Sequence, residues 1–376
     1  MGFTTEETTK LKNQIVEIIS DQGFSVNGQV TPKFSGKEGL KFAHQKSRKE
    51  QLHQHRTFLK RNISKVQKYT LSGQSIHPEK IKLRLIEVHP STIEETLFRW
   101  WNLVWWSMPY QRAYGRQMRF IIWDEYHNAP FGLIGLQSPV LKMAVRDKYL
   151  NIPKDELDIW VNKSMQAQRV GALPPYNDLL GGKLVALALG SNEIRTAYYR
   201  KYCNRETLLE KRKIDADLLF ITTSSAYGRS SIYNRLKFDE EEVAHKLGYT
   251  KGYGTFHIPD SLFAKIKDFL KGEGIDTGTT FGNGPSRRIK LLYQAFAKLN
   301  LPDYSQHQIQ REYYLFSHVS NLRDIIHEGD PPNYWDRSFG EMFIYWKNRW
   351  CLPRSVRKED WRNFDPQRLQ EEIIKL

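Results

Sequence analysis

The chain has 376 residues, 40% of them apolar and 13% aromatic, with 57 Lys and Arg against 42 Asp and Glu and a formal charge of +15. That length suits two or three domains with cores of their own, and the aromatic content excludes a disordered chain. No apolar run approaches the roughly 18 residues of a membrane span, and two cysteines, Cys203 and Cys351, make neither a disulfide framework nor a zinc-ligand set. The opening MGFTTEETTK has no charged-then-apolar leader, so the expected setting is the reducing cytoplasm, with no metal.

Thr4 or Thr5 can cap a first helix. Glu6 and Glu7 suit the positive end of its dipole, and its buried face is expected at Leu11, Ile15 and Ile18. Gly23 can end it, and Gly23–Gly36 reads as turns. Next comes the charge. Between Gly36 and Arg84 nine Lys and four Arg face only Glu38, Glu50 and Glu79, so ten of the fifteen excess charges sit in one stretch. Such a stretch attracts polyanions and releases their counterions. Leu52, Leu59, Ile63 and Val66 fall at helical spacing, so a basic helix running to about Gly73 can pack one side on its own protein. The residues expected to meet DNA or RNA are Lys46, Arg48, Lys49, Arg56, Lys60, Arg61, Lys65 and Lys68; a plain solvated face is the alternative. A membrane surface does not suit so thin an apolar face. His53 and His55 stand among the charges with no further ligands, as surface residues do.

Ile81–Val88 reads as a strand. Ser91 with Glu94, or Thr92 with Glu95, forms a capping box for a helix bearing Trp100, Trp101, Trp105 and Trp106. So dense a cluster is core or interface, with base stacking as the sharper alternative. Arg119–Trp123 and Phe131–Gln137 make a hairpin, Met165–Leu173 a further strand, and Gly181-Gly182-Lys183 precedes a helix from Leu184 to about Tyr202. Leu218–Thr223 reads as a buried strand, Gly228–Phe238 as a loop and short helix, and Thr250–Ile258 as a strand. After Pro259 come an amphipathic helix (Phe263–Leu270), a Gly-rich loop (Gly272–Gly284), and a helix opened by Ser286 whose Arg287 and Arg288 can meet phosphate. In the tail from Trp335 to Arg362, tryptophans alternate with Lys and Arg, which suits single strands or a docking surface equally. The expected fold is mixed α/β in three parts: a basic helical arm (1–78), an α/β core (79–259) and a mainly helical C-terminal unit (260–376).

Two stretches are candidates for chemistry. In Gly171–Leu184 a strand ends, glycines follow and a helix begins, so Asn177, Gly181, Gly182 and Lys183 can cradle a phosphate, although the spacing is not that of a Walker motif. In Leu218–Phe238 a buried strand delivers hydroxyls and Tyr233 follows, as a general acid or as a packed ring. Together they resemble the Gcn5-related N-acetyltransferase (GNAT) fold, whose Y-x-x-L-x-F-like setting is matched by Tyr233-Asn234-Arg235-Leu236-Lys237-Phe238; its Q/R-x-x-G-x-G/A signature is absent. That resemblance implies acetyl-CoA on the glycine turn and Tyr233 as the acid.

A wider resemblance spans about residues 80 to 355. Its residues are Phe131–Leu136, Leu141-Lys142-Met143-Ala144-Val145-Arg146-Asp147, Gly171–Ala186 and Tyr345-Trp346-Lys347-Asn348-Arg349-Trp350-Cys351-Leu352-Pro353-Arg354. These runs resemble the Druantia anti-phage protein A family. The resemblance implies a bacterial defence component acting with other Druantia proteins, a large helicase-like one among them, and with nucleic acid as a ligand. It supplies no catalytic residue. Asp124, Glu125, Asp147 and Asp178 are the acids that can converge in a nuclease-like site, while Arg146-Asp147 reads first as a structural pair. The leading expectation is a recognition or adaptor subunit that contacts DNA or RNA. An acetyl-CoA-dependent acyltransferase and a purely structural subunit are the alternatives.

Overall fold

The computed structural model describes residues 2–34, 36–105, 113–207, 211–213, 215–252, 258–278, 286–303 and 308–376. Thr4 and Glu7 form a reciprocal capping box at the head of α1 (Thr5–Asp21), which buries Leu11, Ile15 and Ile19. Ile18 is only partly covered. The turns expected after Gly23 are a tight hairpin, β1 (Phe24–Asn27) and β2 (Gln29–Pro32), reversing at Gly28 with φ +69°. The basic helix is two helices, α2 (Gly36–Gln54) and α3 (Arg56–Gln67), parted at His55, whose dihedrals (φ −100°, ψ 10°) leave the helical range.

Then follow β3 (Leu83–Glu87) and α4 (Ile93–Val104), capped by Thr92 over the Glu95 N–H. The expected hairpin is β4 (Gln117–Asp124) with β5 (Ala129–Gln137). Two short helices, α5 (Ala144–Leu150) and α6 (Leu157–Asn162), lead to β6 (Ser164–Ala172). The single helix expected over 184–202 divides into α7 (Gly181–Leu187) and α8 (Asn192–Tyr202), because Ser191 between them is extended. After β7 (Phe220–Ser224), residues 226–236 are bends and turns and hold no short helix; they lead into the two-residue strands β8 (Lys237–Phe238) and β9 (Glu241–Glu242). The next strand is β10 (His245–Tyr249), upstream of the expected 250–258; residues 253–257 lie outside the described ones. The chain continues with α9 (Asp260–Gly272), α10 (Arg287–Lys298), the fully buried β11 (Glu312–Ser317), α11 (Leu322–His327) and α12 (Phe339–Trp346). A π-turn (Lys347–Cys351), α13 (Leu352–Arg357) and α14 (Pro366–Ile374) complete it.

Seven strands form one sheet in the order β10–β11–β7–β6–β5–β4–β3. Every neighbouring pair is antiparallel except β6 and β7. That parallel pairing lasts only from Ser164/Phe220 to Gln166/Thr222, whereas β6 runs on beside β5 as far as Ala172. Alternation along β4 decides what each face meets. Met118, Phe120 and Ile122 join Leu184 and Val185 of α7 and Phe339 and Trp346 of α12, while Ile121 joins Trp101 of α4, Leu59 and Val66 of α3 and Ile373 of α14.

A separate core unites the start of the chain with a late insertion. Leu11, Ile15 and Ile19 of α1 and Val30 of β2 pack with Leu262, Ile266 and Phe269 of α9 and Leu291 and Ala295 of α10. The latter two helices stand between β10 and β11 in the chain. The packing therefore groups the residues otherwise than 1–78, 79–259 and 260–376. The first helix and hairpin belong with 258–309, and both α2–α3 and the C-terminal tail lie on the sheet. The tail docks closely, for the Gly73 N–H donates to the Phe364 carbonyl at 2.9 Å.

Candidate nucleic-acid interface

Helix α3 sorts its twelve residues by chemistry. Leu59, Asn62 and Val66 are buried. The Trp100 indole donates to the Leu59 carbonyl (3.3 Å), and the Asn62 amide donates to the Phe58 carbonyl (2.8 Å). The opposite half carries Arg56, Lys60, Arg61 and Lys65, with Lys68 just beyond, and all five are exposed, as is Lys49 near the end of α2. Among the described residues none of these six has a carboxylate within ion-pair distance. Arg99, an exposed residue between buried Phe98 and Trp100, lies over the Phe58 ring at 4.1 Å and extends the same surface. Sequence reasoning missed it; its signal is a cation on the outer side of an otherwise buried helix.

Other expected contacts behave differently. Arg48 turns inward and donates to the Val104 carbonyl near the end of α4, and burial pushes its pKa down. The Lys46 side chain lies outside the described residues. Arg287 ties to the Asp276 and Gly278 carbonyls and to the Asp276 carboxylate (3.5 Å), while Arg288 pairs with Asp260 (2.7 Å) and lies over Phe263. Both therefore hold the second core together. Trp100 and Trp101 are core, edge to face at 5.2 Å, and Trp105 fills the space where a Cβ on Gly171 would stand 2.4 Å from its ring. Trp106 lies outside the described residues.

The glycine turn has been built for close packing. A Cβ on Gly181 would meet Ala172, Phe131 and the Tyr176 carbonyl within 2.8 Å, and one on Gly182 would meet Ile232 at 3.2 Å. The Gly181 and Lys183 N–H groups donate to the Tyr176 and Leu180 carbonyls. The Lys183 ammonium reaches the Asn234 carbonyl (3.2 Å), and its burial lowers its pKa. Asn177 is exposed and leans on Asp178. These residues do not fit the pyrophosphate of acetyl-CoA. Tyr233 packs against Tyr314 and Phe316, and burial raises its pKa to about 12.

The four acids do not converge. Asp124 is wholly buried and accepts from His127 Nδ1 (2.7 Å) and the Tyr176 hydroxyl (3.0 Å). Glu125 pairs with Lys82 and Arg84, and Asp147 with Arg146, whose guanidinium also donates to the Val140 and Leu141 carbonyls. Burial and the nearby Asp360 raise the Asp178 pKa. Among the described residues no group of three His, Cys, Asp or Glu can hold a metal ion, and no helix is long and apolar enough to cross a membrane.

Three of the runs quoted for the wider resemblance meet at one place. Phe131 packs against Tyr176 (4.8 Å) and Trp346 (5.1 Å), and the Arg354 guanidinium donates to the Asp178 carbonyl (3.1 Å). Fold and surface thus define a mixed α/β protein with a basic helical flank and a C-terminal tail locked onto its sheet. The family model for Druantia protein DruA matches residues 35–328, from the head of α2 to the end of α11. A Druantia protein DruA from Escherichia coli (strain UMEA 4076-1) is 34% identical over 360 residues, which cover 94% of this chain and 89% of that protein. No solved structure matches the chain. The chain belongs to the Druantia protein DruA family, and is a component of a Druantia anti-phage system.

Proposed function

We propose that this chain is the nucleic-acid-contacting recognition subunit of its Druantia system, acting in the cytoplasm with a helicase-like partner. The observation that supports this is the ridge of Arg56, Lys60, Arg61, Lys65 and Lys68, exposed along α3 with no carboxylate beside it among the described residues. Cations held in a rigid row and left unneutralised attract phosphate at long range. Deleting the arm would remove Leu59 and Val66 from the core, so surface substitution is the cleaner test. Combining Arg56→Ala, Lys60→Ala, Lys65→Ala and Lys68→Ala should weaken DNA binding and flatten its dependence on salt, by roughly 0.9 in log–log slope for each phosphate that is no longer neutralised. An unchanged slope would remove the proposal.

One observation favours a GNAT-like ancestry for the core: the lone parallel pair, β6 and β7, separates after three residues and α7 begins soon after β6. A coenzyme role does not follow from that ancestry, because the glycine turn is filled by Ile232, Phe131 and Ala172. A thermal shift with acetyl-CoA would restore the acyltransferase.

A further inference from the structure

A cleft of about 450 Å³ opens where three distant segments meet. Phe34 stands beyond β2, Lys37 and Leu40 at the head of α2, Tyr227 and Arg229 beyond β7, and Gln310 before β11. The volume lies in the range of roughly 300–1,000 Å³ common for small-ligand sites. Gly36 and Gly228 line it with φ of +77° and +72°, and no atom lies within 4 Å of the position a Cβ would take. Gly39 lets Phe34 approach, since its Cβ would fall 2.4 Å from that of Phe34. Phe34 is 45% exposed and its ring stands edge to face with that of Phe42, a residue 53% exposed.

Two cations, Lys37 and Arg229, line the cleft. Lys37 is exposed and, among the described residues, has no carboxylate within ion-pair distance. The Arg229 side chain is 86% exposed, and its guanidinium Nε lies 4.0 Å from the buried Glu312 carboxylate, which leaves the outer nitrogens toward solvent. Two aromatic side chains, two cations and one amide suit a base and its phosphate together. A bare phosphate has no use for the rings, and an acyl chain has none for the cations.

We propose that this cleft receives a single unpaired nucleotide, its base against Phe34 and Tyr227 and its phosphate on Lys37 and Arg229. The proposal deepens the nucleic-acid function and rests on it. A base held in a duplex cannot enter, so the cleft selects single strands. The next nucleotides would follow α2, about 28 Å long by its nineteen residues, toward Arg56.

The test is fluorescence anisotropy on the full chain, with a labelled twenty-nucleotide oligothymidylate, the corresponding duplex, and dTMP as a competitor. Base stacking predicts that Phe34→Ala weakens single-strand binding at least about fivefold and leaves the duplex unaffected. Lys37→Gln, at an exposed site that cannot disturb folding, should do the same more weakly. Single-strand affinity unchanged in both variants overturns the proposal. If the α3 substitutions weaken both nucleic acids while Phe34→Ala does nothing, the ridge stands and the cleft falls. If dTMP binds, is lost in Phe34→Ala, and neither strand binds, the cleft stands as a free-nucleotide site and the wider function falls. Binding of none of the three probes overturns both.

Discussion

Trp346 donates its indole N–H to the carbonyl of Leu180 over 3.0 Å, and Leu180, at φ +60°, is the residue from which α7 starts. The bond ties α12 to the turn that follows β6. Trp346→Phe keeps most of the ring packing but leaves that carbonyl without its donor. A loss of about 1–3 kcal/mol is expected, read from the urea midpoint.

Gly73 lies beneath the tail. A Cβ there would stand 2.0 Å from the Trp361 carbonyl oxygen and 2.8 Å from the Arg362 Cα, so backbone must move. Gly73→Ala should cost roughly 1–3 kcal/mol and should expose residues 359–376 to protease first. A stable, protease-resistant variant would show that the backbone contact at Gly73 does not hold the tail in place.

His318 sets a pH dependence. It is fully buried, its Nε2 has no hydrogen-bond partner among the described residues, and burial with Arg195 and Arg337 nearby lowers its pKa to about 3. An unfolded histidine titrates near 6.5. The unfolded chain therefore takes up the proton first as pH falls, so this contribution to stability is full above about pH 6.5. It is lost by up to about 1.4 kcal/mol per pH unit below that, toward the folded pKa. His318→Asn should flatten unfolding free energy between pH 7 and 5 relative to the parent.

Asp124 anchors its corner by accepting from the Lys82, Tyr126 and His127 N–H groups as well as from the His127 ring and Tyr176. Asp124→Leu leaves several buried donors without an acceptor and should prevent soluble expression. Tyr176→Phe removes one bond and should cost about 1 kcal/mol.

Arg287 and Arg288 serve as the internal control for charge. Each is held by a carboxylate of the second core. Arg288→Ala should therefore leave the salt slope of DNA binding unchanged, although it removes the same charge as Arg56→Ala.

Much of this was legible locally. Thr4 with Glu7, the β4–β5 hairpin and the apolar spacing of Leu59, Ile63 and Val66 are signals confined to a few residues. The exposed row on α3 follows from that spacing. The inward turn of Arg48 does not, because its acceptor is the last carbonyl of a helix fifty-six positions on. β10 has no clear sequence signal, because an edge strand half open to solvent carries polar residues, whereas β11 is legible in the apolar and aromatic run Tyr313–Phe316. The cleft has a faint signature, an aromatic residue with glycine and a cation just after it, in Phe34–Lys37 and again in Tyr227–Arg229. Only the fold shows that the two are neighbours.

The partnership of α1 with α9 and α10 has a consequence for synthesis. Helix α1 is made well over two hundred residues before α9 and α10, on which Leu11, Ile15 and Ile19 pack. Until then only the β1–β2 hairpin can cover that apolar stripe in the nascent polypeptide, and the rest is a target for holding chaperones and for premature aggregation.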